Sequence, residues 1–436
     1  MSSQFTLMQE QRFRPFFLTQ FLGAFNDNVF KTALITLVVF HASSLSDIDS
    51  VMLATILPGL FILPFFLFSA TAGQIADKFE KSRIMRYVKM FEIALMLFAS
   101  AGFFLNNIAL LGAALFMMGM HSTLFGPVKY AYLPQHLTEN ELVGGNGMVE
   151  MGTFAAILLG QVLGASLAVQ TNHALLTSIA TITIAMTGYW ISCEIPDSPA
   201  AEASLKINWN PITEIFHNLK FAWRHQVIWL ALIAISWFWF YGATLLAQFP
   251  SFAKNVLKGD ESVFILLLTV FSTGIGLGSL LCEKLSKDGL GLGLVVFGGI
   301  GLSLSGADLY FTSNGFPSAA EIQNYSQLLG RLQNWRLLFD IALIGLFGGL
   351  YIVPLYALIQ TRAEKSHQSR VIAANNILNA LFMVAAAGFS LFLFKQGFNI
   401  PQLFLATALL NMFVIVYLCI RQPEYYKAFI ACIKFP

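Results

Sequence analysis

Gly73-Gln74-Ile75-Ala76-Asp77-Lys78-Phe79-Glu80-Lys81-Ser82-Arg83 is the stretch on which the fold turns. An apolar run closes on a glycine, a carboxylate follows four residues later, and Lys78, Lys81 and Arg83 come next. A residue without a side chain lets another membrane helix approach closely, which is the role expected of Gly73. Asp77 is expected at a membrane edge. There a carboxylate can accept from the N-terminus of another helix and pair with a cation such as Arg83. Such a contact is a latch that holds one side shut and releases when two helical bundles rock. Gly73, Asp77, Lys78 and Arg83 are therefore the candidate gate residues. A second copy of the pattern, from Gly278 to Lys287, has Cys282 where the carboxylate would be, so the latch is one-sided.

The sequence around the loop is built for lipid. Of its 436 residues, 57% are hydrophobic and 11% charged, against about 25% charged in a soluble domain. A bilayer core of about 30 Å needs roughly 20 apolar residues per helix. Spans are expected near 14–42, 51–77, 83–104, 107–134, 144–169 and 173–194, and again near 227–253, 262–284, 289–311, 336–361, 370–395 and 401–421. This is an all-α membrane protein with twelve transmembrane helices. Most of the 25 Lys and Arg residues fall in alternate loops, among them Arg12, Arg14, Lys78 to Lys89, Lys206, Lys220, Arg224, Lys284, Lys287, Arg362, Lys365, Arg370, Arg421, Lys427 and Lys434. By the positive-inside rule these loops and both termini are cytoplasmic. The short polar N-terminus has no cleavable signal pattern, so the first span is an uncleaved anchor. A net charge of +2 argues neither for nor against nucleic acid, and no nucleic-acid partner is expected of a chain built for lipid. Cys193, Cys282, Cys419 and Cys432 form no CxxC pair, and no metal or cofactor motif is present.

The layout is six spans (1–194), a cytoplasmic linker (195–225) and six more (226–436). Within the linker, residues 211–224 form an amphipathic helix that puts Ile212, Ile215, Phe216, Leu219 and Trp223 on one face, to lie on the membrane surface. The halves echo each other. Pro127-Val128-Lys129-Tyr130-Ala131 and Pro354-Leu355-Tyr356-Ala357 each end a span, and Asn146 or Asn375 follows after a polar loop. This repeat, with the opening loop, resembles the major facilitator superfamily and its GxxxD(R/K)xG(R/K)R signature, Glu80 replacing the usual glycine. The resemblance implies a substrate site near the midplane where the two halves meet.

Ionisable residues inside spans are costly and mark function by default. Asp27 falls near the middle of span one, in Phe25-Asn26-Asp27-Asn28-Val29-Phe30-Lys31, and Lys31 follows at i+4, where the two can pair. Lys129 lies in the inner third of span four, beside Pro127, which is expected to kink the helix. Glu150 comes at similar depth in span five, so a Lys129–Glu150 pair is open. Each pair can serve either transport or packing. Glu92 is one turn from Lys89 and reads as an interface residue. Arg336 and Asp340 read as an outer anchor. His121 reads as a packing residue. Trp237-Phe238-Trp239-Phe240-Tyr241 in span seven is either an apolar wall for an acyl chain or aromatic packing.

Three segments carry a closer resemblance. Gln20-Phe21-Leu22-Gly23-Ala24-Phe25-Asn26-Asp27-Asn28 is similar to QFLSAFGDN, Phe125-Gly126-Pro127-Val128-Lys129-Tyr130 to YSPAKYG, and Asn146-Gly147-Met148-Val149-Glu150 to NGLME, all of the bacterial lysophospholipid transporter (LplT) family. Phe347 to Gln360 resembles that family's span ten. The resemblance covers most of the chain and is stronger in the first half. It implies a monomer in the bacterial inner membrane that flips lysophospholipids, such as lysophosphatidylethanolamine, from the outer to the inner leaflet by alternating access, for reacylation by a cytoplasmic acyltransferase. Asp27, Asn28, Lys31, Lys129, Tyr130, Asn146 and Glu150 are the candidate substrate residues. Span seven lacks the basic residue expected of such a transporter, and Lys31 is extra.

Two other classes compete with this reading. A proton-coupled exporter of a drug or siderophore would use Asp27 or Glu150 as proton carrier. A membrane-embedded acyltransferase would need a motif such as HxxxxD, which is absent, and the polar stretches 195–225 and 311–335 are too short for a catalytic domain.

Overall fold

The computed structural model describes residues 4–45, 50–286, 289–314 and 322–433, with side chains outside 39–55 and 432–436. Lys287, Lys434 and the Cys432 side chain, named above, lie outside the described residues. Among the described residues the chain is helical and has no strand, with one isolated bridge between Gly259 and Gln323. The long helices of the first half are α1 (Arg14–Leu45), α2 (Ser50–Lys78), α3 (Lys81–Phe104), α4 (Ile108–His136), α5 (Glu139–Ala168) and α6 (His173–Ser192). The short α7 (Pro211–Arg224) precedes α8 (Gln226–Ser251), α9 (Glu261–Ser286) and α10 (Leu292–Asn314). Then come α11 (Tyr325–Leu329), α12 (Trp335–Arg362), α13 (Gln368–Lys395), α14 (Ile400–Arg421) and α15 (Pro423–Ile433). Among the described residues eleven helices are long and apolar enough to cross a membrane. They do not include α1, whose 32 residues carry Asp27 and Lys31 in mid-helix.

The ends of these helices are set by local chemistry. Asn107 and Asn210 cap α4 and α7 through their side-chain oxygens, and Asn399 with Gln402 forms a capping box on α14. Such caps satisfy backbone N–H groups that the first turn leaves unpaired. Glu80 does the same for α3, accepting from the N–H groups of Ser82 and Arg83 and from that of Ser198. Burial alone would raise the Glu80 pKa, but these bonds and the Ser82 hydroxyl hold it below the usual carboxylate value. The carboxylate that replaces glycine in the loop is thus a helix cap. Pro127 and Pro134 both lie within α4, which continues through them.

Packing divides the chain into two compact units. The first comprises Met1–Thr138, Ala156–His225 and Ala363–Ala380, and the second Glu139–Ala155, Gln226–Arg362 and Leu381–Pro436. The units therefore do not follow the chain halves: the start of α5 packs with the second unit and the start of α13 with the first. In the first unit α1 lies on α6, α3 on α4 and α6, and α2 on α4, around Phe30, Leu34, Met96, Phe103, Leu115 and Met118. In the second unit α12 is central and packs on α8, α9 and α10. Gly274 and Gly278 of α9 face Gly345 and Gly349 of α12. A Cβ on Gly278 would stand 2.0 Å from Leu346 O, and one on Gly349 2.5 Å from Ile275 O. Paired small-xxx-small faces let the two backbones touch, and in lipid such close packing drives helix association.

The apolar face of α7 is divided between protein and surface. Ile215 and Leu219 pack inward against Ala70, Phe66 and Ile377, while Ile212, Phe216 and Trp223 are exposed. The edge of that face with Ile215 and Leu219 meets protein. The span-seven aromatics resolve as packing in the second unit: the Trp237 indole donates to Asn411 Oδ1 at 2.8 Å and stacks on Phe240, while Phe238 stacks on Tyr351.

Candidate functional site

The gate loop is engaged within the first unit. Asp77 is fully buried. Its Oδ1 accepts from the Ser369 N–H at 3.1 Å, in the first turn of α13, and its Oδ2 meets Arg370 Nε at 3.0 Å. Arg370 also donates to Glu202 and to the Ser366 carbonyl. Gly73 makes room for this: a Cβ there would lie 2.7 Å from Ala373 Cβ and 3.0 Å from Ser369 O. The carboxylate meets a helix N-terminus, as expected, but its cation is Arg370. Arg83 points outward and lies 3.6 Å from Glu80 instead, because Glu80 caps the turn on which Arg83 sits. Lys78 holds its Nζ 5.7 Å from the Phe79 ring.

A second cluster is buried among α1, α3 and α4. Glu92, 0% exposed, accepts from Asn26 Nδ2 at 2.6 Å and from the Lys89 ammonium. His121, 2% exposed, has Nε2 3.1 Å from Glu92 Oε2 and Nδ1 3.9 Å from Asp27 Oδ1. Asp27 Oδ2 accepts from the Ser122 hydroxyl. Among the described residues no donor reaches Asp27 Oδ1. Asp27 keeps 9% of its surface exposed, so exposure falls along the line Asp27, His121, Glu92. Lys89 is packed so tightly at the inner end that a Cβ on Gly188 would lie 2.7 Å from its Nζ. A buried ion pair persists when each member is fully hydrogen-bonded, as Glu92 is here.

The expected Asp27–Lys31 pair is replaced. Asp27 turns to Ser122 and His121, and Lys31 sets its Nζ 5.2 Å from the Phe61 ring centroid. Asn28 donates to its own helix at Ala24 O, at 2.8 Å. Lys129 places its Nζ 4.9 Å from the Tyr130 ring. Glu150 is buried and belongs to the second unit, Lys129 to the first. In the second unit Asn146 and Gln360 exchange amide hydrogen bonds, at 2.5 and 3.2 Å. Arg336 pairs with Asp308, while the buried Asp340 carboxylate accepts from Thr312, so the expected Arg336–Asp340 anchor is not formed.

Residues 16–322 match the Major Facilitator Superfamily. The chain is 30% identical over 365 residues to the lysophospholipid transporter LplT of Escherichia coli O157:H7, covering 83% of each. It is 28% identical over 387 residues to the LplT of Enterobacter sp. (strain 638), covering 87% of each. The chain belongs to the LplT family of major facilitator transporters. Solved structures support the fold. The human organic anion transporter MFSD10 (TETRAN) aligns with a TM-score of 0.70 at 14% identity, over 93% of this chain and 99% of its own. A variant of the Escherichia coli fucose:proton symporter FucP gives 0.70 at 12%, over 95% and 100%. This LplT-family chain is a secondary transporter of the bacterial inner membrane, multi-pass, and not an enzyme.

For this LplT-family protein, sequence reading missed Asn26, Lys89, Glu92, His121 and Ser122 as one group. The signal was present: Glu92 interrupts the apolar run Met90-Phe91-Glu92-Ile93-Ala94-Leu95, and Lys89 precedes it at i−3. The spacing of Lys89 and Glu92 was legible, but counting Lys89 with the cytoplasmic loop hid that the pair is buried. Ser369, Arg370 and Gln360 carry no local signal, because their partners are distant in sequence.

Proposed function

We propose that this protein flips lysophospholipids with a zwitterionic head group, such as lysophosphatidylethanolamine, from the outer to the inner leaflet by alternating access. The observation that carries the reading is Asp27 Oδ1, a buried carboxylate oxygen that no donor reaches among the described residues, on a residue that keeps 9% of its surface exposed and on a segment similar to lysophospholipid transporters. A carboxylate in low dielectric binds an ammonium group strongly. Lys31, one helical turn away, and Lys129 supply the opposite sign for the phosphate. Twelve spans with both termini cytoplasmic, a division into chain halves 1–194 and 226–436, and a gate at Gly73, Asp77 and Arg370 belong to the same proposal. A cytoplasmic acyltransferase would consume the product. The exposed stripe of α7, with Ile212, Phe216 and Trp223, would rest on the inner leaflet.

The test is uptake of labelled lysophosphatidylethanolamine by spheroplasts that express the protein, with and without a proton-gradient uncoupler. Uptake above that of cells lacking the protein is expected. Background uptake would sink the reading. Asp27→Ala is expected to abolish uptake at near-normal expression, and full activity in that variant would remove Asp27 from the site.

A further inference from the structure

The line Asp27, His121, Glu92 is closed at one end and keeps its residual exposure, 9% of Asp27, at the other. At the closed end Lys89 and Asn26 hold Glu92 as an anion. At the Asp27 end the buried Oδ1 faces His121 Nδ1 at 3.9 Å and takes no other donor among the described residues. The other titratable groups on the elements around His121 can be named. α1 brings Asp27 and Lys31, and α3 brings Lys89 and Glu92 to the cluster. α2 has Asp77 and Lys78 at its last two residues. α6 has His173 at its first residue and Tyr189 in its last turn. With His121 neutral, Lys89 balances Glu92 and Lys31 balances Asp27. The cluster then sums to zero, and a proton on His121 adds one positive charge beside Asp27, whose Oδ1 takes no donor among the described residues.

We propose that His121 is a proton-binding site in exchange with the substrate ammonium, so that Asp27 faces either a protonated imidazole or a cationic head group, but not both. This rests on the lysophospholipid reading above. One added positive charge satisfies Asp27. A second one, a few ångströms away in a site closed by Lys89, meets repulsion that little water screens. When the ammonium reaches the Asp27 carboxylate, the proton leaves His121 to water on the Asp27 side, because Glu92 is sealed. No covalent bond in the lipid changes, and one positive charge replaces another. Lysophosphatidylglycerol has no ammonium group and displaces no proton by this route.

The experiment uses the whole purified protein in detergent micelles in weak buffer with a pH-indicator dye. Binding of lysophosphatidylethanolamine is followed by scintillation proximity. In a pH series from mildly acidic to neutral, the wild type is expected to release up to about one proton per bound lipid at its maximum. Lysophosphatidylglycerol is expected to release none, and His121→Gln is expected to bind lysophosphatidylethanolamine without release. Binding without release by the wild type, equal release with the two lipids, or unchanged release in His121→Gln would each overturn the proposal while leaving the transport reading intact. Failure of the wild type to bind lysophosphatidylethanolamine would overturn both. The comparison of the two lipids on wild-type protein decides the matter even if His121→Gln does not fold.

Discussion

Lys89 and Glu92 keep each other in place, and removing either leaves an ion buried without its partner. Lys89→Met or Glu92→Gln alone is expected to lower stability by about 3–5 kcal/mol. The double variant should recover much of that, since it removes both charges together. Thermal unfolding of the four proteins in one detergent checks this. A loss in the double variant equal to the sum of the two single losses would mean that the charges are not coupled. Glu80 makes a smaller, pH-dependent contribution. Its folded-state pKa lies below the ordinary value, so the stability it adds is fully present above the unfolded pKa. It is lost as pH falls through the folded one. Glu80→Ala should cost about 1 kcal/mol at neutral pH, and the gap from wild type should close in acid. A gap that widens in acid would contradict the assignment of Glu80 as an ionised cap.

At the scale of helices, two close contacts do different work. The face of Gly274 and Gly278 against Gly345 and Gly349 fixes α9 to α12 inside the second unit, with backbone touching backbone. Gly278→Val places side-chain atoms where Leu346 O now sits. It is expected to lower stability by about 1–3 kcal/mol or more, read as a drop in melting temperature. An unchanged melting temperature would show that these helices can part at no cost. Gly73 instead admits the first turn of α13 beside Asp77. Its spacing to Asp77 was legible in the sequence, because glycine at i−4 on one helix face is a local pattern. The partner was not legible. Arg370 lies 293 residues from Asp77 along the chain, and Arg83 was the nearer cation. The same limit explains α7, whose 14 residues show an apolar face but not which stripe meets protein and which is left exposed.

For the whole molecule, the lipid-like composition, the repeat of six spans and the gate loop made the superfamily legible, since each reflects a requirement of the bilayer rather than of one contact. The candidate site was legible in part. Asp27 stood out as a charge in mid-span, and the structure places it beside other buried polar groups. Its neighbours come from three helices, so only the folded chain brings His121 and Glu92 to it. The packing units, which trade the starts of α5 and α13, could not be read from linear symmetry, because nothing local marks where a continuous helix changes partners. The central claim, that Asp27 serves movement of a lysophospholipid across the bilayer, is tested most directly in proteoliposomes. Fluorescent lysophosphatidylethanolamine is placed in one leaflet, and its arrival in the other is followed by protection from a membrane-impermeant quencher. Wild-type protein is expected to speed that arrival well above empty vesicles, and Asp27→Asn to return it to their rate. Wild-type vesicles no faster than empty ones, or Asp27→Asn as fast as wild type, would contradict the account.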